Sequence, residues 1–225
     1  HAGAMLCFDP NHGHRVPGFN YQGADKLGRE FYEMCQKSNP DFLMVGEGCY
    51  DLQSQYYGTY TRADYWHEPV LRYIDPTVPI ACAVIDHNDL NHVNMCLADR
   101  YAMSYEVRNF KGHLGEFPRV MAYGRKVDNL RRRYADFLWN GEFLDVLGAT
   151  VKGDNIRYTV FRNLKNGKKA VVVYNVDTKK ANTASISIDG SSAPLVMASP
   201  EKPAPAKFTG AVTLGPQSAV VIMEK

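Results

Sequence analysis

The chain has 225 residues, 45% of them apolar and 12% aromatic, with a formal charge of +2. That length suits one large domain, or a medium and a small one, each with its own core. The near-neutral balance and the short basic runs Arg131-Arg132-Arg133 and Lys179-Lys180 leave no electrostatic footprint for nucleic acid. No stretch approaches the roughly 20 apolar residues of a membrane span, so no membrane partner is expected.

In chain order, Ala4–Phe8 (AMLCF) reads as a strand that ends at Asp9, followed by a loop rich in His, Gly, Pro and Asn. A helix is expected over Ala24–Ser38, where Leu27, Phe31, Met34 and Cys35 recur at helical spacing. Phe42–Val45 is the next apolar strand, and it runs into Glu47 between Gly46 and Gly48. A tyrosine-rich loop follows from Cys49 to Arg62. Ile80–Ile85 is a third strand, apolar throughout, ending at Asp86. His92–Tyr101 reads as a helix, Met103–Val107 as a fourth strand, and Val127–Leu138 as part of a strong helix stopping near Gly141. Strands apolar along their whole length are buried on both faces, the mark of a parallel sheet covered by helices. The overall rhythm is βαβ.

The texture changes after about Ala149. Arg157–Arg162, Lys169–Asn175, Ala184–Asp189 and Ala219–Glu224 are short β runs separated by turn signals at Asn166-Gly167, Asp189-Gly190 and Gly215-Pro216. Residues 200–207 (PEKPAPAK) read as a loop. This pattern predicts a small antiparallel β-sandwich, packed against the first part.

Cys7, Cys35, Cys49, Cys82 and Cys96 show neither CxxC nor zinc spacing, and are expected as buried free thiols. His1 opens the sequence without methionine and without the n- and h-regions of a signal peptide. The expectation is a processed chain or a piece of a longer protein, with a bacterial secreted or periplasmic location left open.

Three strands thus end in acids, Asp9, Glu47 and Asp86, with His12, His87, Asn88 and Asp89 beside them. In parallel α/β sheets the C-terminal strand ends are where ligands bind. Convergent carboxylates without metal-binding cysteines suit glycoside cleavage. One carboxyl group donates a proton to the leaving oxygen, and another stays ionised to attack or stabilise the anomeric centre. Tyr50, Tyr57 and Trp66, in the aromatic-rich segment after Glu47, offer flat faces to sugar rings. A metal-ion reading rests on His12-x-His14 near Asp9, or on His87 with Asp86 and Asp89, but spacing fixes no third ligand. No cofactor is expected.

An acid after one strand, a Glu in GE after the next, and a later strand ending in IDHND resemble the α-amylase superfamily of TIM-barrel glycoside hydrolases. The run Phe117–Asp145 (FPRVMAYGRKVDNLRRRYADFLWNGEFLD) is similar to the last barrel helix of large bacterial glycosidases that carry a sandwich. The resemblance implies that Asp9 is the nucleophile, Glu47 the acid/base, and Asp86 or Asp89 the transition-state stabiliser. His12, Tyr50, Tyr57, Trp66, His87 and Asn88 would bind substrate. Where the family has an Arg two residues before the nucleophile, this chain has Cys7, and Asn88 separates His87 from Asp89. The implied architecture is α/β: a partial (half) TIM-type (β/α) barrel catalytic domain over residues 1–149, then the β-sandwich over residues 150–225. Four or five barrel strands fall short of the eight that close a barrel. Either a missing N-terminal half or a second copy must therefore cover the sheet edges, and self-association, as a homodimer or larger, is expected. The alternative to an enzyme is a carbohydrate-binding or structural derivative that uses the acids only to accept hydrogen bonds from sugar hydroxyls.

Overall fold

The computed structural model describes residues 6–19, 21–47, 59–61, 72–73, 76–77, 79–84, 89–106 and 112–225. The chain divides into two compact units, His1–Ala81 and Cys82–Lys225. This division differs from the one expected at residues 149/150.

In the first unit, β1 (Leu6–Cys7) pairs antiparallel with β2 (Gly18–Phe19), Cys7 opposite Gly18. The segment expected to be a parallel barrel strand is thus one arm of a hairpin. Asp9 starts its loop by capping a short 3-10 turn at Pro10–His12, and Gly13, at a φ of 69°, reverses the chain after it. That left-handed conformation strains any residue with a Cβ. Helix α1 (Tyr21–Ser38) follows. The Gln36 side-chain amide donates to the Phe42 carbonyl at 3.0 Å, holding the turn that leads to β3 (Val45–Glu47). β3 runs parallel to β4 (Thr59–Thr61), with Glu47 in register with Thr61. Tyr60 and Thr61 in turn pair parallel with Ile80 and Ala81 of β5 (Ile80–Ala83). The parallel arrangement read from the apolar runs is present. Among the described residues the strands do not close into a barrel. β4 lies inside the segment expected to be a tyrosine-rich loop. Along α1, Leu27, Phe31 and Met34 are 68%, 45% and 58% exposed, with Phe31 meeting the Phe42 ring edge to face.

The second unit is built around α2 (Leu90–Ala98), every residue of which is buried. The Val84 amide donates to the Ser104 carbonyl of β6 (Ala102–Ser104) at 3.0 Å. Helices α3 (Pro118–Arg133) and α4 (Ala135–Leu138) follow. Pro118 opens α3 where a missing N–H costs nothing. The chain beyond Leu138 is free of helices. Strands β7 (Glu142–Phe143), β8 (Ala149–Lys152), β9 (Ile156–Arg162), β10 (Lys169–Asn175), β11 (Asn182–Ile188), β12 (Leu195–Ala198), β13 (Ala206–Lys207), β14 (Ala211–Leu214) and β15 (Ala219–Glu224) form two antiparallel sheets, ordered β13-β12-β15-β10-β9-β7 and β14-β11-β8. One apolar core joins them. Val160, Val171, Val173, Val220 and Ile222 come from the larger sheet, and Ala149, Ala184, Ile186, Ile188 and Leu214 from the smaller.

β10 is buried on both faces. Val171 and Val173 enter that core, while Val172 points the other way, also fully buried. The second face meets α2 and α4. This explains the continuous apolar run of an antiparallel strand, and why the helices share a unit with the sheets. Polar ties reinforce the packing. The Asn91 amide donates to the Val176 carbonyl at 3.0 Å, and the Thr159 hydroxyl to the Ala98 carbonyl at 2.6 Å. Tyr123 donates to the Asn94 side-chain oxygen at 2.7 Å.

Candidate active site

Asp9 and His12 come together. The Asp9 Oδ1 accepts the Asn11 N–H at 2.8 Å, and its Oδ2 lies 3.2 Å from His12 Nε2. The other nitrogen of that ring, Nδ1, is 3.1 Å from Cys7 Sγ. His14 meets His12 edge to face, with ring centres 5.8 Å apart, and its Nδ1 lies 3.0 Å from the Arg15 carbonyl. The hairpin produces this cluster, because the β1–β2 pairing brings the loop back over Cys7. Cys7 and Cys35 are half-buried, in contrast to the expected burial; Cys82 and Cys96 are buried.

Glu47 is the last residue of β3, next to a buried Gly46 that pairs with Tyr60. Asp89 belongs to the second unit. Its carboxylate accepts the Asn91 N–H at 2.7 Å as the N-cap of α2, and the Gln217 side-chain amide donates to it as well. Asp86, His87, Asn88, Tyr50, Tyr57 and Trp66 lie outside the described residues. His14 was named only in the metal-ion reading, from its HxH spacing with His12, and Cys7 was given no site role, because the hairpin that brings it to His12 has no periodic signature.

The second unit contains a cavity of about 420 Å³ lined by Met103, Tyr105, Asp128, Arg131, Arg132 and Trp139, among others. Its wall is a buried guanidinium. Arg131 donates to the Tyr101 and Cys96 carbonyls at 2.9 and 2.5 Å and lies 4.9 Å over the Trp139 ring. Burial pulls the Arg131 pKa down, and burial pushes the Tyr105 phenol up. Among the described lining residues Asp128 is the one carboxylate, and it faces Arg131 and Arg132 at 4.0 and 3.7 Å.

No protein-family model matches the chain, and no curated protein matches it in sequence. Solved structures do share its fold. A noncanonic maltogenic α-amylase, AmyB from Thermotoga neapolitana, is similar with a TM-score of 0.57 at 10% identity, over 86% of this chain and 58% of that one. The chain has an α-amylase-like fold. A second structure, Amy13B of Eubacterium rectale, matches 91% of this chain and 57% of its own length at 12% identity, with a TM-score of 0.49. The chain thus spans less than two thirds of the length of either. Within this amylase-like fold, Glu47 ends a strand of the parallel set, while Asp9 lies in the hairpin loop and Asp89 caps α2.

Proposed function

We propose that this chain carries the catalytic carboxylates of a glycoside hydrolase that cleaves its substrate with retention. The observation that carries the reading is Glu47 at the end of β3, in a set of parallel strands, within a fold similar to a maltogenic α-amylase. Glu47 acts as general acid toward the leaving oxygen. Asp9 attacks the anomeric carbon to form a glycosyl-enzyme. Glu47 then takes a proton from the water that releases the sugar. Asp86 or Asp89 stabilises the oxocarbenium-like centre. Tyr50, Tyr57 and Trp66 stack on the sugar, and His12, His87 and Asn88 hydrogen-bond its hydroxyls. In this reading residues 1–149 are half of a (β/α) barrel and residues 150–225 a β-sandwich.

The exposed stripe of Leu27, Phe31 and Met34 on α1 supports a further element of the reading, a second copy that covers it. Sedimentation of the purified chain tests this; a monomer contradicts it.

The experiment for function is hydrolysis of a panel of aryl glycosides, with the anomer of the first-formed product followed by NMR. Retention is expected. Inversion overturns the assignment of Asp9, and binding without turnover favours a carbohydrate-binding derivative instead.

A further inference from the structure

We infer that Cys7, His12 and His14 form a binding site for a borderline divalent cation of the Zn²⁺ class, a property beyond the hydrolase reading, with which it shares His12 and its neighbour Asp9. One donor atom of each residue lies within 4.8 Å of the other two. Ligands of tetrahedral zinc, bonded at about 2.0–2.3 Å, stand roughly 3–4 Å apart, so a movement of about 1 Å completes the set. Thiolate and imidazole are the ligands that select zinc and its neighbours over magnesium or calcium.

Each ring has one nitrogen engaged by an oxygen, which leaves the other as the donor to a metal. His12 Nε2 faces the Asp9 carboxylate at 3.2 Å, which holds the proton there and leaves the Nδ1 lone pair toward Cys7 Sγ. His14 Nδ1–H donates to the Arg15 carbonyl at 3.0 Å, which leaves Nε2 as the ligand. A carboxylate or a backbone carbonyl on the far nitrogen is the usual support of a metal-bound histidine, fixing tautomer and ring orientation. Space is provided too. A Cβ on Gly18 would collide with the His14 ring, so glycine at the position opposite Cys7 lets that ring occupy the hairpin. Three protein ligands leave a fourth position for water. Binding replaces the Cys7 thiol proton by the metal ion and releases that proton to solvent.

The test is titration of the chelator-treated 225-residue chain with Co²⁺, followed by its absorption spectrum. The expected result is one equivalent bound, with a thiolate-to-Co²⁺ charge-transfer band in the near ultraviolet. Cys7→Ser should abolish the band, and His14→Ala should weaken binding by about tenfold or more. Gly18→Ala, which keeps every donor atom, should also weaken it. A wild-type chain without the band, or a band that persists in Cys7→Ser, overturns the site. If Cys7→Ser does not fold, His14→Ala and Gly18→Ala decide it by the same reading, and unchanged affinity in both overturns it. Glu47→Gln should keep the band while losing hydrolysis of alkyl glycosides, so this site and the hydrolase reading fail separately.

Discussion

The side-chain amide of Gln217 donates to the carboxylate of Asp89, joining two residues 128 positions apart. The same glutamine accepts from Asn94 at its backbone carbonyl, 3.0 Å, and from Arg119 at its Oε1, 3.1 Å. One residue of the turn before β15 therefore holds the start of α2, its second turn, and α3. Asp89 is a structural cap whatever else it does.

That double role can be separated. Asn caps a helix as well as Asp and can still accept from Gln217, whereas Ala does neither. Asp89→Ala should lower the unfolding free energy by about 1–2 kcal/mol in urea denaturation. Asp89→Asn should keep the stability of the native chain. If Asp89 is the third acid, Asp89→Asn loses turnover without loss of stability; normal turnover passes that role to Asp86.

Tyr123 makes stability depend on alkaline pH. Burial pushes its phenol well above the ordinary tyrosine range, and the charge of Glu201 adds to this. A raised folded-state pKa favours the protonated phenol in the folded chain. That advantage is complete below the unfolded value of about 10 and is lost as the pH rises beyond it, when the unfolded state ionises first. The phenol should titrate only as the chain unfolds in an ultraviolet titration. Tyr123→Phe should remove part of the alkaline sensitivity. At neutral pH it should cost about 1–3 kcal/mol, because Asn94 Oδ1 is left without this buried donor.

Ile222 tests the core shared by the two sheets. It is fully buried, in register with Val171 and Met197 on either side. Ile222→Ala should cost about 2–5 kcal/mol. A loss near zero in thermal or urea unfolding would mean that this core does not hold the unit together.

The elements legible in the sequence were those with repeated chemistry. Lys169–Asn175 and Ala219–Glu224 read correctly because each carries an unbroken β-branched run at the centre of a sheet. Leu195–Ala198 and Ala211–Leu214 escaped, since four residues near or at a sheet edge show no period. Thr59–Thr61 was hidden for the same reason inside a tyrosine-rich segment. Leu6–Cys7 was read as a strand, but its partner was not legible. Antiparallel pairing with Gly18–Phe19 depends on loop reversal at Gly13, and that reversal also brings Cys7 to His12. That α2 and α4 cover the second face of β10 was not legible, because it is a tertiary contact that no local pattern encodes. Glu47 at a parallel strand end was legible, because an apolar run followed by Gly-Glu-Gly is a local signal.

Glu47 carries the central claim, and the leaving-group dependence of Glu47→Gln tests it most directly. A lost general acid matters most where the departing oxygen is a poor leaving group. The account predicts a loss of about 10²- to 10⁴-fold in kcat/KM on alkyl glycosides or oligosaccharides. It predicts a far smaller loss on dinitrophenyl glycosides, with the native far-ultraviolet circular dichroism spectrum retained. Unchanged turnover of the alkyl substrates by Glu47→Gln, in a folded chain that hydrolyses them, would contradict it.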